Sequence, residues 1–465
     1  MGRRIQERRK GFALIFSALC CLALIPVVGL AIDGARVYLM RNQVSTALNA
    51  AVLAGARSLN LGATVTDQAA SAITIATNVF NANITAMGTG INTNASASFS
   101  VSENNVSHYR TVTGSATANL PLTLISIILP SGTTTIAVAA TAQRRDVNVI
   151  LALDHSGPMG GAPLAALQAD ATSFVTTFAN TRDSIGLVAF AGGAYVAQTP
   201  TQTFSLVTTA IGTLQAPGTS FTNTAAAIWS AYQQLVAVNE PGALNVIVLF
   251  TDGVPGSFAG NFAGYVDGPA STNPPNPAIS ATGGCGFATS PLNGLLMSNP
   301  LYPGNRYGLS DYIAQSINDT PDSRAAPGCT STTQAPNRFL SQMPATDVNG
   351  NSTNGTGTMS AYQAVTLTSI TGSNIEHAAE NAFDDAANKI RSDTTIAPVI
   401  YAIGLTLPNG AVPDTVLMER IANDPRSATY SSNQPAGLYL PAPNSTQLAT
   451  AFANIAAQVL QLARN

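Results

Sequence analysis

The sequence predicts an α/β protein made of an N-terminal transmembrane helix, a small α+β segment and a doubly wound domain with a long insertion. Three observations carry that expectation. Residues 11–32 contain no charged side chain. From Asp146 onward, apolar strand-like runs alternate with helical stretches, the pattern of a parallel sheet covered on both faces. That alternation is broken once, between residues 254 and 372, by a stretch dense in Gly, Pro, Asn, Ser and Thr.

The 465 residues exceed one ordinary core, since a domain takes roughly 100 to 200 residues. Only 9% of residues are charged, and the formal net charge is -3. The one basic cluster, Arg3, Arg4, Arg8, Arg9 and Lys10, is too small to track a run of phosphates, so nucleic acid is excluded as a partner. These residues form a short tail, 1–10, ahead of the apolar run.

As a helix, residues 11–32 measure about 33 Å, enough to cross a hydrocarbon core of about 30 Å. The sequence Ala31-Ile32-Asp33 lacks the small-residue cleavage pattern of a secretory signal, so the span is read as retained. The basic tail places the N-terminus in the cytoplasm and everything after Asp33 outside it. The expectation is therefore a single-pass protein of a bacterial inner membrane, with the bulk of the chain in the periplasm or at the cell surface.

Beyond the span, Val37, Met40, Val44, Leu48, Ala51 and Val52 recur at helical spacing and no Pro intervenes before Asn60, so the anchor helix continues. From about Ala70 to Arg145, short runs of Thr, Val, Ile, Ser and Ala separated by Asn and Gly predict a small sheet. The apolar stretch Leu120–Pro130 is too short for a second span and is read as buried core. Residues 33–145 form this second segment.

In residues 146–465, the run DVNVILALD ends in Asp154 and the run NVIVLFTDG carries Asp252 near its end. Helices are expected near Ala225–Val238, Ile375–Arg391, Asp414–Asn423 and Gln447–Leu462, with a further strand in APVIYAIGL. Ligands of such sheets bind outside the carboxyl ends of the strands. Two strands deliver Asp154 and Asp252 to that edge, and Thr222 in GTSFTN converges on it. Carboxylates with hydroxyls suit a hard divalent cation, Mg2+ first, with Ca2+ or Mn2+ also compatible. No Cys/His spacing suggests zinc.

Two resemblances follow from these residues. The basic tail, apolar span, Asp33-Gly-Ala-Arg36 turn and Ala-rich helix resemble the N-terminus of TadE/TadG-like proteins of the Flp pilus assembly system, over about the first sixty residues. With Gly11 as a cleavage-site Gly, Phe16 stands where a prepilin carries Glu. The strand-edge constellation resembles the metal-ion-dependent adhesion site of von Willebrand factor type A domains, a Rossmann-like fold. Asp154 and Ser156 match its Asp-x-Ser-x-Ser motif, Thr222 its threonine, and Asp252 its Thr-Asp-Gly. Pro158 replaces the second Ser and offers neither a side-chain oxygen nor an N–H, so water or Ser220 would have to substitute.

These resemblances imply a pilin-like segment at 33–145, an A domain at 146–465, and a partner protein, a pilus or envelope component, that presents a carboxylate to the metal. Cys285 and Cys329 in the insertion form a disulfide if they lie in an oxidising compartment. A metal-assisted hydrolase would also need a base or nucleophile at the metal. His155 adjoins the motif, His108 lies in the middle segment, and His377 sits on a later helix where Glu376 and Glu380 read as solvated-face neighbours. There is no Gly-x-Ser-x-Gly elbow, and the chain reads as non-enzymatic. The remaining alternative is a scaffold whose A domain binds no metal.

Overall fold

The computed structural model describes residues 2–86, 95–105, 108–123, 132–179, 181–216, 221–262, 266–268, 292–298, 309–311, 337–339, 342–355, 362–407, 410 and 412–463. They fall into two compact units, one taking most of residues 1–144, the other residues 145–463 together with His108. Ser220, Cys285, Cys329 and most of the apolar stretch 120–130 lie outside the described residues.

The first unit begins with one continuous helix, α1 (Gly2–Arg57), followed by α2 (Val65–Ala86) and strands β1 (Ala95–Asn104), β2 (Tyr109–Pro121) and β3 (Thr133–Arg145). The strands form a sheet in the order β1-β2-β3. The helical spacing in α1 places Met40, Val44, Leu48, Ala51 and Val52 in the core, with Val37 packed at its margin. At Gly114 a Cβ would meet Val52 Cγ1 at 2.8 Å and Leu48 Cδ1 at 2.9 Å, so glycine lets the sheet approach the helix. For the predicted span 11–32, the side chains mostly fall outside the described set. Among the described residues no helix is long and apolar enough to cross a membrane.

One expectation for this unit is corrected. Residues 70–86 are helical rather than extended, because Ala72, Ala76, Phe80 and Ile84 repeat every fourth residue and form the buried stripe of α2. A capping pair starts the helix, with Thr64 N–H donating to Asp67 Oδ2 at 3.2 Å and Asp67 N–H donating to Thr64 Oγ1 at 3.1 Å.

In the second unit the elements are β4 (Val147–Asp154), α3 (Ala162–Val175), β5 (Ser184–Phe190), β6 (Ala194–Thr201), α4 (Phe204–Gly212), α5 (Thr224–Val238), β7 (Leu244–Thr251) and β8 (Ser257–Phe262). Next come β9 (Val266–Gly268), β10 (Leu292–Met297), β11 (Leu309–Asp311), β12 (Asn337–Phe339), α6 (Gly372–Arg391), β13 (Val399–Leu405), α7 (Thr415–Ala422), β14 (Tyr439–Ala442) and α8 (Leu448–Leu462). The main sheet has the order β14-β13-β7-β4-β5-β6, and only β6 runs antiparallel to its neighbour.

Strands β4 and β7 are buried along their whole length, which explains their continuous apolar sequence. Val149, Leu151 and Leu153 of β4 face a core shared with α3, α4 and α8; Ile150 and Ala152 face one shared with α5, α6 and α7.

The described parts of the insertion contain strands. β8 pairs with β10 and β10 with β11, all antiparallel, and β9 pairs with β12. Phe258, Leu296 and Met343 pack on Ile375, Ala378 and Ala379 of α6, giving the insertion its own small core.

This second layer corrects the expectation for Glu380, which is 6% exposed rather than solvated. Its Oε2 has no hydrogen-bond partner. Burial, and then the charges of Asp414 and Glu376, push its carboxyl up to about 7. A carboxylate raised in the folded state opposes folding once it ionises, so its cost appears as pH rises from about 4.5 through 7. This cost is on the order of 1 to 3 kcal/mol. Glu380→Gln is therefore expected to be more stable than the parent at pH 8 and equal to it at pH 4.5. Thermal melts at the two pH values check this, and an equal difference at both would refute it.

Candidate metal centre

Asp154 closes β4 and is fully buried. Its Oδ1 accepts from the Ser156 N–H at 2.9 Å, and its Oδ2 accepts from the Thr251 hydroxyl at 2.7 Å. Sheet register makes the second bond possible: Leu153 lies beside Phe250, so Thr251 comes up next to Asp154. Asp252 follows at once, 2% exposed, and its Oδ1 accepts from Ser156 Oγ at 3.5 Å. Thr222 stands just before α5, whose N-cap Asn223 accepts from Ala226 N–H at 3.2 Å. The Thr222 carbonyl accepts from Gly256 N–H at 3.0 Å, and its hydroxyl lies 3.9 Å from where a Cβ on Gly253 would sit. Asp154, Ser156, Thr222 and Asp252 thus meet at one strand edge, brought there by three separate loops. Pro158 lies in the short turn Gly157–Met159 beside them.

The electrostatics are those of two carboxylates with too little positive charge nearby. Burial raises the Asp154 carboxyl above its usual range. Asp252 is pushed up to about 8, by burial first and then by the charge of Asp154. Asp252 Oδ2 is buried without a hydrogen-bond partner, an arrangement that costs free energy unless something positive meets it. Two carboxylates with the Ser156 and Thr222 hydroxyls are hard oxygen donors, and they fit a small divalent cation.

Thr251 is not singled out by the sequence, and His155 stands out there only as the histidine that adjoins the motif. Thr251 holds Asp154, a role visible only once the register is known. His155 turns its Nδ1 to a backbone carbonyl rather than to a carboxylate. Burial lowers its pKa, and the neutral ring donates from Nδ1 to the Gln215 carbonyl at 2.7 Å. The ring also meets Tyr195 edge-on, with centroids 6.0 Å apart. It therefore ties the Asp154 loop to the chain leading toward Thr222, and no sequence spacing signals that.

Residues 149–254 match the sequence model of the von Willebrand factor type A domain, and residues 11–58 match that of the putative Flp pilus-assembly TadE/G-like family. No curated protein sequence matches the chain. Among solved structures, the pilus adhesin SpaC from Lactobacillus rhamnosus GG is 13% identical with a TM-score of 0.37, covering 79% of this chain and 34% of its own. The chain thus spans about a third of that adhesin. The PilB minor pilin from Streptococcus sanguinis is 14% identical, covers 80% of each chain and has a TM-score of 0.36. The von Willebrand factor domain of the type V pili tip protein Mfa5 from Porphyromonas gingivalis is 15% identical, covers 69% of this chain and 97% of its own, with a TM-score of 0.36. These scores denote loose likeness, and the assignment rests on the two sequence models. The chain is thus similar to the TadE/G-like family over residues 11–58 and to the von Willebrand factor type A domain over residues 149–254.

Proposed function

We propose that this is a membrane-anchored, non-enzymatic component of Flp pilus assembly or adhesion that binds a protein partner through a metal-ion-dependent adhesion site. In this reading residues 1–10 stay in the cytoplasm and 11–32 cross a bacterial inner membrane. Residues 33–145 form the extended helix and pilin-like segment. Residues 146–465 form the A domain, with 254–372 inserted, in the periplasm or at the cell surface. The observation that carries the site is Asp252 Oδ2, a buried carboxylate oxygen without a partner beside a second buried carboxylate. Asp154, Ser156, Thr222 and Asp252 would hold the ion. A bound Mg2+, or Ca2+ or Mn2+ in its place, would supply a coordination position for a carboxylate of the partner.

Calorimetric titration of Mg2+ into the full chain in detergent micelles tests this. Saturable binding that disappears in Asp154→Ala is the expected result. Absence of binding to the folded chain would favour a metal-free scaffold, the reading to which Pro158 points.

A further inference from the structure

Along the described part of α1, Leu24, Val27, Val28, Leu30 and Ile32 are exposed, and the apolar run ends at Asp33. Asp33 itself is 1% exposed. Its Oδ1 accepts from the Thr123 N–H at 3.1 Å and from the Thr123 hydroxyl at 2.7 Å. Arg36 completes the group: its Nη1 lies 3.5 Å from the same Asp33 oxygen and donates to Thr123 Oγ1 at 3.0 Å. Thr123 stands two residues past the end of β2, where Leu122 N–H donates to the Gly132 carbonyl at 2.9 Å and draws the two strands' ends together. The β2–β3 end of the sheet is thus pinned to the turn of α1 at which the apolar run stops.

We propose that Asp33, Arg36 and Thr123 form a clamp that seats the β2–β3 end of the sheet against phospholipid headgroups, giving the first unit a contact with the bilayer beyond α1. The proposal rests on the reading of residues 11–32 as a membrane span. A carboxylate at the edge of a hydrocarbon core is costly unless paired, and the clamp pairs it. Arg36, with a side chain 34% exposed, can keep its charge among headgroups while its stem lies along the helix. Pro121, Leu122, Thr123 and Gly132 at this end of the sheet carry no charge, so none of them opposes an interfacial position.

Depth measurement by fluorescence tests the proposal, because Trp229 is the one tryptophan of the chain. In a Trp229→Phe background reconstituted into vesicles containing brominated phosphatidylcholine, single reporters are placed by Val27→Trp, Pro121→Trp or Ser102→Trp. Ser102 pairs with Thr111, ten residues along β2 from Pro121, or about 33 Å away. Quenching is expected at positions 27 and 121 and not at 102. Adding Thr123→Val, which removes the hydroxyl shared with Asp33 and Arg36 but leaves α1 untouched, should lower quenching at 121 at least twofold without changing it at 27; Asp33→Asn should do the same. Quenching at 27 with none at 121, or quenching at 121 that both clamp variants leave unchanged, overturns the clamp and spares the anchor. Absence of quenching at 27 overturns the anchor and the clamp with it.

Discussion

Asp252→Asn is expected to weaken Mg2+ binding at least ~100-fold while making the metal-free protein more stable at pH 8. The two effects share one cause. In the metal-free fold Asp252 is held near 8 by burial and by Asp154, far above an ordinary aspartate. Between about 4 and 8 the folded state therefore holds a proton that the unfolded state has lost. Metal-free stability accordingly falls as pH rises through that window and levels off above it. Its size is on the order of 2 to 4 kcal/mol, and the Asn variant should lack it. Added Mg2+ should restore stability to the parent, most strongly at high pH where both carboxylates can ionise for the ion. Thermal melts from pH 5 to 9, with EDTA or with Mg2+, read all of this. A variant no more stable than the parent in EDTA at pH 8 would mean that the carboxylate pair is not under repulsion.

Gly437→Ala is expected to cost more than about 4 kcal/mol and to lower the melting temperature by roughly 10 °C or more. Gly437 leads into β14, with its N–H donating to the Ala422 carbonyl at 2.9 Å. A Cβ there would lie 1.9 Å from the Ile400 carbonyl oxygen and 2.8 Å from that of Ala422, both backbone atoms that cannot swing aside. Relief would require β13 or the end of α7 to move, and both belong to the core behind the sheet. Gly212→Ala, at the end of α4 with nothing within 4 Å, serves as the control and should change stability by no more than about 0.5 kcal/mol. Comparable losses at the two positions would refute the steric argument.

The parallel sheet and the two aspartates could be read from sequence for the same reason. A strand buried on both faces is a continuous apolar run, and a carboxylate at its end has few structural uses. Thr251 and His155 could not be read so, because their partners are set by register and by a loop sixty residues away. The helix α2 was hidden by its composition, since Thr and Ile interleave an Ala-rich stripe and imitate strand alternation. For Glu380, an ordinary amphipathic helix would place it in water. Here α6 is covered a second time, by residues of the insertion at Asn381 and by α7 and Gln434 at Asp384, Asn388 and Arg391. No periodicity within α6 announces that second cover.

The insertion leaves the sheet after β7 and returns through α6 into β13, and β13 pairs directly with β7 from Val399 beside Val246 to Gly404 beside Thr251. All of it hangs within one crossover between neighbouring strands. Because loop closure grows only by about 0.6 kcal/mol for each doubling of length, such a segment can lengthen or shrink at little thermodynamic cost to the sheet while Phe258, Leu296 and Met343 keep their packing on α6. This gives the fold a replaceable cassette beginning a few residues from Asp252, so evolution could rewrite the surface around the loops that carry Asp154, Thr222 and Asp252 while the strands that aim them stay in register.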